Sequence, residues 1–341
     1  MKRPILVTGG AGYIGSHTCK ALAKAGFLPI TYDNLSTGHA YAVKWGPFIQ
    51  GDLNDRARLA EVLDSYKPEA VLHFAADAIV PESMINPAKY YRNNVVSSLA
   101  LLEAMRDAQI KHLVFSSSCA TYGHPQFTPI TEEHPQNPIS PYGRSKLMTE
   151  EMIADFGMAY GLRAVSLRYF NVAGADLDME IGENHDPETH LIPSVIQTAL
   201  GQKEEIVVYG TDFLSRDGSA VRDYIHVQDL ARAHVLALEW LLQHERNLSL
   251  NLGTGTGYSV LEIIGAVQKF CGKILPVRLE KRREGEPGVL TADSALPRAT
   301  LGWAPQVSDL PTLIETAWKW HQLLTENASL LRSTLHRLEV P

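Results

Sequence analysis

The sequence predicts an α/β protein: a doubly wound parallel sheet followed by a smaller C-terminal α/β region. Three observations predict it. Short apolar runs alternate with longer helical patterns through the first half, a glycine-rich loop joins the first apolar run to the first helical pattern, and the character of the chain changes after Asn171.

The strand candidates are residues 5–8, 28–32, 48–50, 70–74, 113–117 and 163–169. They are apolar on both faces rather than alternating, as strands are in a parallel sheet covered by helices on both sides. After Asn171 come Gly-, Asp- and Pro-bearing loops over 174–187, a helical pattern from about 191 to 200 and a short strand at 206–209. These predict a second unit walling the crevice beyond the carboxyl ends of the strands, where ligands bind in such sheets.

Composition narrows the function. With 341 residues, 45% apolar and 20% charged, the chain can bury a core without disulfides. No run approaches the roughly 18 apolar residues of a membrane helix, so no membrane partner is expected. The first apolar run ends in glycines rather than continuing as a secretory signal, which makes the cytoplasm the expected address. Cys19, Cys119 and Cys271 are odd in number and far apart, as reduced thiols would be. A net charge of −7 provides no basic footprint for nucleic acid. The thirteen histidines are scattered without HExxH spacing, so no metal site is expected.

Thr8-Gly9-Gly10-Ala11-Gly12-Tyr13-Ile14-Gly15 follows the first strand and opens a helix. Gly10, Gly12 and Gly15 satisfy GxGxxG, and Gly9, Gly12 and Gly15 satisfy TGxxGxxG. In either register the glycines allow a tight turn, and the helix N-terminus offers N–H groups and positive dipole to a pyrophosphate, as in Rossmann domains. Asp33, ending the second strand, stands where a carboxylate accepts a hydrogen bond from the adenosine ribose; a turn-forming aspartate is the alternative. No Arg or Lys follows it through Thr37 to hold a 2′-phosphate, which favours NAD over NADP. Asp52, ending the third strand, has two readings: a contact to the adenine amino group, or the N-cap of the next helix. The expected division is a cofactor domain over 1–173 and a substrate domain over 174–341, with segments near 222–253 open to returning to the first.

Tyr142-Gly143-Arg144-Ser145-Lys146 places a tyrosine and a lysine one helical turn apart on one face. A phenol is a poor base near neutrality, but a neighbouring ammonium and the cationic nicotinamide ring both favour the phenolate. Alone, YxxxK also describes a surface Tyr–Lys pair. The serine run 116–118, at the end of the fifth strand, faces the same crevice or serves as a turn.

With these blocks the chain resembles the extended short-chain dehydrogenase/reductases, and among them the UDP-galactose 4-epimerases. The resemblance also covers His73-Phe74-Ala75-Ala76, Arg168-Tyr169-Phe170-Asn171, Val221-Arg222-Asp223-Tyr224-Ile225-His226, Asn251-Leu252-Gly253 and Arg282-Arg283-Glu284-Gly285. It implies Ser118, Tyr142 and Lys146 as the catalytic group. Around NAD it places Gly9, Gly12, Tyr13, Ile14, Gly15, Asp33, Asn34, Asp52, Leu53, Phe74, Ala75, Asn94, Tyr142, Lys146 and Tyr169. Around a UDP-sugar it places Ser118, Tyr142, Asn171, His190, Leu191, Val207, Tyr209, Arg222, Arg283 and Glu286. The implied chemistry is oxidation of the sugar C4 hydroxyl and return of hydride to the opposite face, by a homodimer joined through helices of the cofactor domain.

Three positions depart from the family pattern. Ala78 stands near a frequent lysine, His190 replaces an asparagine, and Glu286 replaces an aspartate. Dehydratases of the superfamily carry an acidic pair where this chain has Cys119-Ala120, so 4,6-dehydration lacks its acid and base. UDP-arabinose/UDP-xylose and UDP-N-acetylglucosamine 4-epimerases remain as alternatives, and Leu290 falls near the position that gates N-acetylated sugars.

Overall fold

The computed structural model describes residues 2–283 and 285–326. Glu284, and the part of the expected second domain beyond residue 326, lie outside the described residues. In chain order, the first half comprises β1 (Pro4–Thr8), α1 (Tyr13–Lys24), β2 (Leu28–Asp33), β3 (Phe48–Gln50), α2 (Arg56–Tyr66), β4 (Ala70–His73), α3 (Val80–Ile85), α4 (Pro87–Tyr90), α5 (Ser97–Asp107), β5 (His112–Ser118), α6 (Pro141–Tyr160) and β6 (Arg163–Tyr169). There follow β7 (Asn171–Ala173), α7 (Leu191–Ala199), β8 (Ile206–Tyr209), β9 (Val221–His226), α8 (Val227–His244), β10 (Leu248–Leu252), β11 (Gly257–Ser259), α9 (Val260–Cys271), β12 (Val277–Glu280), β13 (Val289–Leu290), α10 (Ala295–Leu301) and α11 (Leu310–Glu326).

Among the described residues a seven-stranded parallel sheet runs β10-β6-β5-β4-β1-β2-β3. Its strands are apolar on both faces because both faces are covered. Ile5 and Val7 of β1 pack with Leu22 of α1 and Leu238 of α8, while Leu6 between them packs with Leu59 of α2 and Leu101 of α5. Each such side chain contributes about 1.5–3 kcal/mol by burial. The strand order reverses between β1 and β4, so the chain leaves their carboxyl ends in opposite directions and a crevice opens there. The expected fourth strand ends one residue earlier, at His73, and the fifth extends by one at each end.

The second unit is built on smaller sheets. β9 pairs in parallel with β7 and β13 and antiparallel with β11, while β8 pairs in parallel with β12. Their core is closed by α7, α9 and α11 through Ile192, Val195, Ile196, Ile264, Leu313 and Ile314. β10 lies in the large sheet, delivered there by α8. No described helix is long and apolar enough to cross a membrane.

Candidate active site

The carboxyl ends of the large sheet and the facing second unit enclose a cleft of about 1400 Å³. One end is set by the glycine loop. Gly9 has φ +71°, and a Cβ there would lie 2.5 Å from the backbone nitrogen of Ala75; a Cβ on Gly15 would lie 2.2 Å from the carbonyl oxygen of Gly9. These two glycines therefore let strand, loop and helix pack together, and only glycine fits. Gly12 is the N-cap of α1 and supplies no side-chain cap, and Gly12, Tyr13, Ile14 and Gly15 all line the cleft. First-turn N–H groups have no partner within their own helix, so this cradle fits a pyrophosphate. The Tyr13 hydroxyl does something else: it donates to the carbonyl of Gly174 at 2.6 Å and ties α1 to the second unit.

Asp33 is buried, with its oxygens accepting from the backbone N–H groups of Ala11 at 3.0 Å and Leu35 at 2.8 Å. It anchors the glycine loop to the loop after β2 while still lining the cleft, and burial raises its pKa. Its cleft neighbours Asn34, Ser36 and Thr37 carry no positive charge. Asp52 also lines the cleft with Leu53, Phe74 and Ala75. The N-cap alternative for Asp52 falls, because Asp55 caps α2 by accepting from Arg58 N. Asp52 instead accepts from the Asn34 side chain at 2.8 Å and the Asn54 backbone at 2.9 Å. Asn94 sits behind the cleft wall. Its carboxamide accepts from Asp77 N at 2.8 Å and donates to the Asp77 carbonyl and the Ser145 hydroxyl, both at 3.0 Å, fixing the loop after β4 against α6.

The chemical centre lies where β5 and α6 meet the cleft. Ser140 caps α6 by accepting from Gly143 N at 3.1 Å, and Pro141 occupies the first turn, a pairing that starts a helix at this point. Tyr142 and Lys146 are thereby presented from the first two turns, beside Ser118 at the end of β5. Lys146 Nζ donates to the carbonyl of Ser116 at 2.7 Å and stands 6.0 Å from the centroid of the Tyr142 ring. Burial pushes Lys146 down to about 7, opposed by the charge of Glu150. Burial also pushes Tyr142 up to about 12, opposed by its hydrogen bond with Ser118. Desolvation disfavours both charged forms, so protein groups alone do not lower the phenol as the YxxxK pattern suggested. Tyr169 lines the cleft with its hydroxyl bonded to Ser116 Oγ.

At the far end, Asn171, Leu191, Val207, Tyr209, Arg222, Arg283 and Glu286 line the cleft, with Leu290 beside them. The Arg283 guanidinium stacks 3.9 Å from the centroid of Tyr209. Arg222 donates to Glu286 Oε1 at 3.0 Å, while Glu286 Oε2 is buried without a hydrogen-bond partner among the described residues. A buried carboxylate oxygen so placed is ready to accept from a ligand hydroxyl. His190 turns Nδ1 to Glu183 Oε1, and that carboxylate holds its pKa up at about 9 against burial.

Sequence reasoning missed several supporting groups. Glu150, one turn beyond Lys146, forms a buried ion pair with Arg168 at 2.6 Å and accepts from Ser117. The pattern Tyr-x3-Lys-x3-Glu was available as a signal. Lys20 of α1 is buried among Asp176, Asp178 and Glu180 and clamps the second unit to the first. Glu183, His185, Glu188 and His190 converge at the start of α7, their spacing of two and three residues being the signal that was passed over.

Known proteins share the sequence pattern and the fold. The sequence profile of the NAD dependent epimerase/dehydratase family matches residues 5–253. The chain is 53% identical over 317 residues to a UDP-glucose 4-epimerase from Rhizobium meliloti (strain 1021), covering 93% of this chain and 96% of that protein. Its structure is similar to that of the UDP-glucose 4-epimerase from Brucella ovis in complex with NAD, with TM-score 0.91, 54% identity, and coverage of 93% of this chain and 98% of that one. A UDP-glucose-4-epimerase from Stenotrophomonas maltophila, with bound NAD and formylated UDP-arabinopyranose, matches with TM-score 0.92 and 41% identity over 95% of this chain and 99% of that one. Glycine cradle, serine–tyrosine–lysine centre and arginine-bearing far wall thus occur in a chain that belongs to the NAD dependent epimerase/dehydratase family.

Proposed function

We propose that the chain interconverts UDP-galactose and UDP-glucose by inverting C4 of the sugar within the 1400 Å³ cleft. The observation that carries this is one continuous cleft with the glycine cradle at one end, Ser118, Tyr142 and Lys146 in the middle, and Arg222, Arg283 and Glu286 at the other. Bound NAD supplies a hydride acceptor and donor for the sugar C4, together with a positive ring charge. Gly12–Gly15 would hold its pyrophosphate, Asp33 its ribose and Asp52 its adenine.

Tyr142 takes the proton of the C4 hydroxyl as the carbon is oxidised and gives it back on return. Ser118 assists by stabilising the phenolate through its hydrogen bond. Lys146, fixed by the Ser116 carbonyl, supplies positive charge beside that oxygen. Arg222 and Arg283 grip the diphosphate through their planar forks, Glu286 accepts from the uridine ribose, and Tyr209 with Val207 and Leu191 packs the nucleotide. A tightly held nucleotide leaves the sugar free to turn, so both faces of C4 meet the same position. Asn171 and the Nε2 side of His190 complete the polar lining.

Cys119 and Ala120 line the cleft where a dehydratase needs carboxylates, which supports net epimerisation over elimination. Leu290, intermediate in size, lines the same wall, and UDP-arabinose and N-acetylated UDP-sugars stand as alternative substrates for the same assay. Val96, Leu99 and Met148 are exposed where α5 and α6 pack together, an apolar face that supports a homodimer; the cytoplasm remains the expected address from the sequence alone. Purified protein incubated with UDP-galactose, with and without added NAD, and resolved by chromatography is expected to yield UDP-glucose. Absence of UDP-glucose in both samples defeats the reading, and a monomer in sedimentation at micromolar concentration defeats the dimer.

A further inference from the structure

We propose that Glu183, His185, Glu188 and His190 form a binding site for one divalent transition-metal ion of the zinc class, at the edge of the cleft where α7 begins. One donor atom from each lies within 4.8 Å of all the others. His185 Nδ1 stands 3.1 Å from Glu183 Oε1, and His190 Nδ1 contacts that same oxygen. Two imidazoles and a second carboxylate are thus gathered around one carboxylate oxygen.

A second observation points to an ion rather than to an ion-pair cluster. The Glu188 side chain is 2% exposed, and its Oε1 accepts from His190 N at 2.8 Å. Its Oε2 is buried with no hydrogen-bond partner among the described residues, on a carboxylate that is one of the four converging groups. A buried carboxylate oxygen left unpaired is costly, and two buried carboxylates side by side need positive charge close by. In the metal-free site His190 supplies one positive charge to two carboxylates; a dication taking the place of the His190 proton leaves two neutral imidazoles and balances both carboxylates.

The donor set selects the ion. Two imidazole nitrogens and two carboxylate oxygens suit Zn²⁺, whereas Mg²⁺ and Ca²⁺ require six or more oxygens. Donors 2.0–2.2 Å from a tetrahedral ion stand roughly 3.3 Å apart, so side-chain shifts of about an ångström complete the shell. The frame is firm: the Glu183 carbonyl accepts from Trp320 Nε1 at 2.9 Å, and Lys203 donates to the Glu188 carbonyl at 3.2 Å. The second metal-like group, Asp176, Asp178 and Glu180, already holds Lys20 and carries no such inference. His185, Glu188 and His190 line the cleft, so the ion would fix the wall on which the proposed nucleotide site rests.

The full-length protein, purified with its nucleotide and passed through chelator, would be titrated with ZnCl₂ by calorimetry and then assayed for metal content. We expect one Zn²⁺ per chain with Kd of about 1 μM or below, unaffected by millimolar Mg²⁺. Zinc-edge absorption should show nitrogen and oxygen neighbours only. His185→Ala and Glu188→Gln, each checked for native circular dichroism and retained nucleotide, should weaken binding by 100-fold or more, since even partners outside the shell are worth about 10–100-fold. Less than about a fifth of an equivalent bound by the parent protein overturns the site. So does equal affinity in both variants, or sulfur in the zinc shell. The readout is metal stoichiometry, so failure of epimerase activity alone leaves this inference intact.

Discussion

Replacing Lys146 by methionine should remove activity and, at neutral pH, stabilise the cofactor-free protein. The ammonium is 4% exposed, donates to Ser116 O at 2.7 Å, and lies 5.1 Å from the Phe115 ring centroid. Burial pushes its pKa from 10.5 down to about 7. Between those values the unfolded chain holds a proton that the folded chain sheds, so wild-type stability rises with pH across that window. The penalty is therefore complete at and below about pH 7 and gone above about 10.5. At about 1.4 kcal/mol per unit, the full shift corresponds to roughly 5 kcal/mol. Loss of the charged hydrogen bond to Ser116 offsets about 1.5–3 kcal/mol of that. The variant should thus gain about 2–3 kcal/mol at pH 7, moving the urea midpoint by roughly 0.7–1 M for m near 3 kcal/mol/M. At pH 10 the folded lysine is neutral, the remaining penalty of about 1 kcal/mol is matched by a neutral hydrogen bond of about 0.5–1.5 kcal/mol, and the gain should vanish. Urea titrations followed by circular dichroism at both pH values measure this. A variant no more stable than wild type at pH 7, or a gain independent of pH, would show that desolvation is not what perturbs Lys146.

Tyr142→Phe should lower kcat by about 10²–10⁴-fold with unchanged circular dichroism, since it removes the proton acceptor and little else; a kcat within 3-fold of wild type, read from UDP-glucose formation, argues against the role. Gly15→Ala places a Cβ 2.2 Å from the Gly9 carbonyl oxygen, and overpacking of this kind costs about 1–3 kcal/mol or more. Thermal unfolding and nucleotide content of the purified variant should both fall. Arg222→Lys keeps the charge but loses the fork that reaches Glu286 and, by proposal, the diphosphate. Steady-state kinetics should give KM raised about 10-fold with kcat little changed, and a selective fall in kcat would place Arg222 at the chemistry instead.

The parallel sheet was legible because its strands are short, apolar on both faces and separated by amphipathic helices, so each element could be read from local pattern. Boundaries moved by a residue where burial continues past the last β-branched side chain, as at Ser118. The glycine loop and the Tyr142–Lys146 pair were legible for the same reason, since their spacing along one turn or one helix determines which atoms meet. Contacts between distant segments were not. Whether Asp52 or Asp55 caps α2 depends on where the loop after β3 turns, and that is fixed by Asn34 and Asn54. Asn94 could not be placed behind the wall without knowing that Asp77 and Ser145 take up its carboxamide. Glu183, His185, Glu188 and His190 lie within eight residues, yet a loop with no regular period does not tell which side chains turn toward one another; the structure shows both imidazoles on the Glu183 carboxylate. Burial could not be read from the spacing either: among protein groups alone, desolvation is the larger effect on both Tyr142 and Lys146.

The central claim is that one centre removes hydride from the sugar C4 and returns it to the same carbon. The direct measurement is proton and deuterium NMR of UDP-galactose carrying deuterium at C4, incubated in ordinary water with purified protein. UDP-glucose should keep the deuterium at C4, with no solvent hydrogen entering at C4 or C5. Loss of the label to water, or exchange at C5, would contradict it and point to chemistry that opens through a carbanion.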